Sequence, residues 1–208
     1  MRLNLASGGV PLKKYGYIDV DITEEWGDAI DIVADVRNIW MFDDESCSEV
    51  FAKDILEHMT RAEWKPALDE WTRVLRPGGL LKLRYPNLEL YWKSYANRTS
   101  FPSGYSKNKD AYTEKQLKTF AWEKAMQSFY GLQDFPANNH LCGLNFWIVR
   151  DYLEEIGMKV ITEPGFTDGH EQRITASKGK PDPEISLSHP DYIARDAGDI
   201  QLPWPKVK

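Results

Sequence analysis

Two short apolar runs within the first 21 residues, Arg2 to Ala6 and Tyr17 to Asp21, constrain this chain more than any other feature. Each has the length of a buried strand. The gap between them holds a glycine turn, Ala6-Ser7-Gly8-Gly9, and too few residues for a helical crossover. Similar runs follow at Ile30 to Ala34, Glu49 to Asp54, Leu80 to Tyr85, Lys159 to Glu163 and Gln172 to Ser177. Helical periods alternate with them, which predicts an α/β fold with a mostly parallel central sheet flanked by helices. The first crossover is expected to be irregular, without a helix N-terminus that could favour an anion.

The clearest helix is predicted to begin at Thr60, because Thr60-Arg61-Ala62-Glu63 has capping-box spacing. Trp64, Ala67, Leu68, Trp71, Val74 and Leu75 then share one face, and Pro66 either kinks the helix or marks its first turn. Pro77-Gly78-Gly79 is expected to end it and turn the chain into the next strand. Residues 87–135 lose strand character and become aromatic and basic, with one helical stretch from Thr113 to Phe129. This segment reads as an insertion over the ligand edge of the sheet. A further amphipathic helix is expected from Asn145 to Ile156. The prolines at 181, 183, 190, 203 and 205 make residues 179–208 an extended tail, leaving residues 1–178 as the domain. Trp204, Tyr192 and Leu202 are too apolar for a wholly solvated tail, so a strap or a homodimer contact is expected there.

At 208 residues the chain is sized for one core. A mean hydropathy of -0.53 and the lack of any long apolar run argue against a membrane protein. The first residues turn polar too early for a secretory leader, so a cytoplasmic location is expected. Cys47 and Cys142 fit a reducing compartment and lack metal-ligand spacing, and no metal site is expected. The net charge of -6 disfavours nucleic acid as a partner of the whole surface. Between Arg84 and Lys124, however, basic residues outnumber acidic ones by four.

A glycine-bearing turn after the first strand is where an open α/β sheet binds a nucleotide-like ligand. Asp21, ending the second strand beside that turn, could accept from both ribose hydroxyls, with Ile22 next to it. Asp19 competes for this role, but the strand's end favours Asp21. Asp35 ends the following run, Ile32-Val33-Ala34-Asp35, and could accept from an adenine amine while Val36 packs on the ring. Each acid alone reads as a cap or a solvated loop residue; two at strand ends beside a glycine turn read as a site.

Leu3-Asn4-Leu5-Ala6-Ser7-Gly8, Gly16-Tyr17-Ile18-Asp19-Val20-Asp21, Ala34-Asp35-Val36-Arg37, Ile55-Leu56-Glu57-His58 and Arg73-Val74-Leu75-Arg76-Pro77-Gly78-Gly79 follow one another in order. This series resembles the motifs of class I, Rossmann-like S-adenosylmethionine (SAM)-dependent methyltransferases, in the group with a type 11 methyltransferase domain. His140-Leu141-Cys142-Gly143 and Tyr152 to Met158 extend the likeness. The resemblance implies that Ala6, Ser7 and Gly8 hold the methionine part of SAM, Asp21 and Ile22 the ribose, and Asp35 and Val36 the adenine. It places Asp54 against the cofactor's amino-acid portion or the substrate, and His58 near the transferred methyl. Tyr85, Asn87 and His140 are the expected acceptor residues, and the insertion the expected lid over a polar, sugar-bearing or anionic small molecule. The family's loop usually has glycine where this chain has Ala6, which predicts a shifted loop or weakened cofactor binding.

A nicotinamide oxidoreductase would share the turn and the acid. It prefers Gly-x-Gly-x-x-Gly opening a helix, with the acid about 20 residues on, whereas here Asp21 follows Gly8 by only 13. A methyltransferase-like binding or scaffold module without turnover is the second alternative, with Ala6 its best argument.

Overall fold

Side-chain alternation along the strands divides one sheet into two unlike faces. The computed structural model describes residues 1–8, 10–96, 113–134, 138–162, 167–168 and 171–191. Its strands are β1 (Arg2–Leu5), β2 (Ile18–Asp21), β3 (Ile32–Val33), β4 (Cys47–Lys53), β5 (Leu75–Pro86), β6 (Met158–Val160), β7 (Thr167–Asp168) and β8 (Glu171–Lys178). They form one sheet in the order β3-β2-β1-β4-β5-β8-β6, with β7 also pairing to β8. The pairs among β1 to β5 are parallel, whereas β8 runs antiparallel to β5, β6 and β7. The α-helices among the described residues are α1 (Trp64–Val74), α2 (Leu88–Ala96), α3 (Glu114–Tyr130) and α4 (Phe146–Glu155).

One face is apolar. Leu3, Leu5, Val20, Val50, Ala52, Leu81, Leu83, Ile174 and Ala176 pack in a single core with Ala67, Leu68, Trp71 and Val74 of α1 and Phe146, Val149 and Leu153 of α4. Alternation sends the intervening residues to the other face, where Asn4, Asp19, Glu49, Lys82, Arg84, Arg173 and Thr175 are all buried. Among the described residues no α-helix separates β1 from β2. A 3-10 turn, Lys13–Tyr15, does so, as the short gap predicted. Leu12 and Tyr17 from this crossover pack on Phe51, and residues 179–191 cover more of the charged face.

Three local expectations are corrected. The helix begins at Trp64, not Thr60: the Glu63 carboxylate does accept from the Thr60 amide at 2.8 Å, but the Glu63 amide donates to the Thr60 carbonyl. That closes a tight turn ahead of the helix, and Pro66, lacking an N–H, sits in the first α turn where no donor is needed. Pro77-Gly78-Gly79 does not end the helix, which stops at Val74, but lies inside β5. There the register against β4 jumps from Cys47 opposite Leu75 to Glu49 opposite Leu80. Gly78 has φ +81°, and a Cβ on it would come within 3.1 Å of the Lys180 carbonyl, so glycine lets the tail approach the bulge. Finally, the insertion holds two described helices rather than one, since α2 precedes α3. Phe101, Tyr105, Tyr112, Arg98, Lys107 and Lys109, and the tail beyond Asp191 with Tyr192, Leu202 and Trp204, lie outside the described residues.

Candidate active site

The carboxyl ends of β1, β2, β4 and β5 meet along one edge of the sheet. Two residues there carry backbone strain: Ala6, just after β1, has φ +51°, and Asp54, just after β4, has the same value. The left-handed region costs an L-residue roughly 1–2 kcal/mol. Ala6 therefore takes the conformation that a glycine would take, and the loop is strained rather than shifted. The Gly8 amide donates to Asp21 Oδ2 at 2.8 Å and the Thr23 amide to Oδ1 at 3.2 Å, which fixes the Asp21 carboxylate at the strand tip.

Asp19 is separated from Asp21 by its partners. It accepts from Asn4 Nδ2 at 2.6 Å and from the Leu12 and Lys13 amides, so it is spent on tying down the crossover. Burial pushes its carboxyl up. Asp35 is clamped by Arg37, whose Nη2 donates at 2.6 Å and whose amide donates at 2.9 Å. The Arg37 hydrogen bonds hold that carboxyl below the usual carboxylate range. Arg37 also pairs with Glu63. The Val36 side chain lies in the apolar core, and its carbonyl accepts from Trp71 Nε1 at 2.7 Å. Ile22 is exposed beside Asp21.

The turn after β4, Leu56–His58, brings Glu57 and His58 to the same edge. Residues 138–142 fold onto it: the Leu141 amide donates to the Glu57 carbonyl at 2.7 Å and Cys142 Sγ contacts the Leu56 carbonyl at 3.3 Å. This stacks the His140 ring edge-on against His58, with centroids 4.8 Å apart. His58 Nδ1 lies 3.1 Å from the Asn139 carbonyl, and His140 Nδ1 lies 2.8 Å from the Ser128 carbonyl at the end of α3. Burial lowers the His140 pKa, favouring the neutral ring, and pushes the Glu57 carboxyl well up. The Cys142 thiol, pushed up to about 11 by burial, stays protonated at neutral pH.

Tyr85 and Asn87 have partners within the fold. Tyr85 is buried in the core and donates to the Asn145 carbonyl at 3.3 Å. Asn87 caps α2, accepting from the Leu90 amide at 3.1 Å, and its amide nitrogen donates to Gln172. Trp92 meets Phe129 across α2 and α3, so part of the insertion's aromatic content packs its own helices. Sequence patterns alone give Glu57 and Arg37 no role. The only signals were their places inside the Ile55–His58 and Ala34–Arg37 motifs, because their partners lie elsewhere in the chain.

The family model described as "Methyltransferase domain" matches residues 13–83, a stretch that starts after the glycine turn and contains Asp21, Asp35, Asp54 and His58. No curated protein sequence matches the chain. Solved structures share its fold at low identity. A SAM-dependent methyltransferase from Thermotoga maritima, described as a possible histamine N-methyltransferase, is 16% identical over 85% of this chain and 81% of its own, with a TM-score of 0.52. A SAM-dependent methyltransferase from Archaeoglobus fulgidus is 14% identical over 85% of each chain, with a TM-score of 0.53. One from Mesorhizobium loti is 10% identical over 84% and 89%, with a TM-score of 0.54. The family match spans about a third of the chain and the likeness to the solved structures is one of fold: residues 13–83 are similar to a methyltransferase domain, and the chain shares the Rossmann-like α/β fold of SAM-dependent methyltransferases.

Proposed function

We propose that SAM lies along the edge formed by Ala6, Ser7, Gly8 and Asp21, and that its methyl passes to a polar small molecule held between this edge and the α2–α3 insertion. Three observations support the fit. Ser7 Oγ is buried without a hydrogen-bond partner among the described residues, so it is poised for a ligand's polar group. A Cβ on Gly8 would meet nothing within 4 Å, which leaves open space over the turn. Asp21 keeps lone pairs for ribose hydroxyls beyond the two amides it already accepts. Asp35 and Val36 would border the adenine, Asp35 sharing its carboxylate with Arg37, and exposed Ile22 would cover the sugar.

When bound, the cofactor supplies a methyl already activated on a sulfonium. The chain's own work is therefore alignment, exclusion of water and management of one proton. Asp54 lies at the same edge for the cofactor's amino-acid portion or the substrate. His58, with Nδ1 on the Asn139 carbonyl, carries its basic lone pair on Nε2 and can take a proton from a hydroxyl or ammonium acceptor. His140 borders the acceptor, while Tyr85 and Asn87 position the strand end and α2. The basic excess of the insertion favours an anionic or sugar-bearing acceptor.

The observation that carries this reading is the Asp21 carboxylate fixed against Gly8. Asp21→Ala should weaken SAM binding about 10- to 150-fold, the equivalent of about 1.5–3 kcal/mol for a hydrogen bond to a charged group, with the far-UV spectrum unchanged. Calorimetric titration of SAM reads this, and unchanged affinity in the variant would remove Asp21 from the site. The strain at Ala6 favours a second reading, a SAM-binding module without turnover. Tight SAM binding with no transfer of labelled methyl to any sugar-bearing or anionic acceptor would select it.

A further inference from the structure

We propose that Glu57, His58 and His140 form a binding site for a divalent transition-metal cation of the zinc class. One ligand atom from each residue lies within 4.8 Å of the others. Metal–ligand bonds of about 2.0–2.1 Å place tetrahedral ligands about 3.4 Å apart, so the set closes on an ion by side-chain shifts of about 1 Å.

Three features make this a built site and not a chance cluster. Both imidazoles are tethered through Nδ1 to a backbone carbonyl, Asn139 for His58 and Ser128 for His140. A carbonyl only accepts, so each Nδ1 carries the proton and each Nε2 the lone pair. That is the outer-shell arrangement by which proteins aim histidine at a metal. Glu57 is 5% exposed, and its Oε2 is buried with no hydrogen-bond partner among the described residues. A cation supplies the missing partner for an oxygen whose isolation is otherwise costly. The two halves of the site are also fastened together, because the Leu141 and Cys142 amides both bond the Glu57 carbonyl.

Two imidazoles and one carboxylate suit zinc, cobalt or ferrous iron and are poor ligands for magnesium or calcium, which prefer all-oxygen shells. Three protein ligands leave at least one coordination position open, as in catalytic and not structural zinc sites. That position would take water or a donor atom of the acceptor, a last link that rests on the methyl-transfer reading above; with its Nε2 lone pair on the ion, His58 is a ligand, and it serves as the proton acceptor only in the metal-free chain.

Co2+ titration of the chelator-treated full chain, followed by visible d–d absorption and by Zn2+ displacement, tests the site. One saturable equivalent is expected in the wild type. His140→Ala and His58→Ala should each weaken binding by more than the roughly 10- to 100-fold that loss of an outer-shell partner costs. Glu57→Gln should do the same, and the histidine variants carry the test where that variant fails to fold. Cys142→Ser should bind as the wild type does. No saturable binding by the wild type, binding that survives loss of either histidine, or binding lost in Cys142→Ser alone would each overturn the proposal. The readout needs no methyl acceptor, so failure of the metal site and failure of methyl transfer are separately visible.

Discussion

On one face of the sheet, Val50, Ala52, Leu81, Leu83, Ile174 and Ala176 meet α1 and α4 in an apolar core, while on the other the same strands bury Glu49, Lys82, Arg84 and Arg173. The covering elements differ accordingly. An amphipathic helix brings a broad apolar stripe and needs apolar residues beneath it. The strap of residues 179–191 has no such stripe and covers its face by pairing charges. Asp191 bonds both Arg84, at 3.0 Å, and Arg173, at 2.9 Å. Lys82 spans Glu49, at 2.7 Å, and the Ser188 carbonyl, at 2.8 Å. Arg76 holds Asp182 where the strap leaves the sheet. Burial opposes ionisation of Asp191, but the Arg173 hydrogen bonds and the charges of Arg173 and Arg84 outweigh it and hold the carboxyl far below its usual range. A sheet whose first crossover is too short for a helix can thus be closed late in the chain, by a segment that reads the polar half of the strand alternation.

The difference predicts unequal responses to substitution. Trp71→Ala, on the helix-covered face, should cost about 4–5 kcal/mol, the upper part of the range for a buried tryptophan, since it also orphans the Val36 carbonyl. Denaturant unfolding reads this directly. Asp191→Ala should cost about 3 kcal/mol by leaving two buried guanidinium groups short of a counter-ion, the low end for a broken buried pair because Glu171 still faces Arg84. A loss below about 1 kcal/mol would mean that the strap is not held by these pairs.

The strap should also make stability depend on pH. His189 packs edge-on against Phe51 and contacts Thr175, and burial pushes its pKa down to about 3 from an ordinary 6.5. The fold favours the neutral ring, so its contribution is fully present above about pH 6.5 and is lost as pH falls toward 3. The limiting slope is about 1.4 kcal/mol per pH unit. Asp191, with a depressed carboxyl pKa, loses its contribution only below the ordinary carboxylate range. His140 shifts in the same direction as His189, and the raised Glu57 carboxyl in the opposite sense. Comparing wild type with His189→Gln between pH 6.5 and 5 isolates the His189 share; identical slopes would show that this ring is not buried neutral.

The smallest effect is expected where charge is replaced by matching apolar volume. Tyr17 donates to Glu49, which also accepts from Lys82, and burial raises the Tyr17 pKa and lowers that of Lys82. Changing Tyr17→Phe, Glu49→Leu and Lys82→Met together should alter stability by less than about 1 kcal/mol, whereas Glu49→Leu alone should cost more by stranding two partners. Equal losses for the single and triple variants, read by the same unfolding assay, would erase the distinction drawn between the two faces.

The strand runs, the glycine turn, the missing first crossover helix and the strand-end acids were legible from the amino-acid order, because each depends on local periodicity and on which residues can end a strand. The apolar face of α1 followed from the same periodicity, while its start and the place of Pro77-Gly78-Gly79 did not, since a tight turn and a β-bulge compete locally with the patterns that were read. The tertiary structure alone decided what each charge meets. It spent Asp19 on the crossover, clamped Asp35 with Arg37, left Asp21 at the open edge and set Asp191 between Arg84 and Arg173. It also brought His140 against Glu57 and His58 from far along the chain. The physical reason is that alternation says which face a residue joins, whereas strand order and the antiparallel entry of β8 determine its neighbours on that face, and no local pattern contains either.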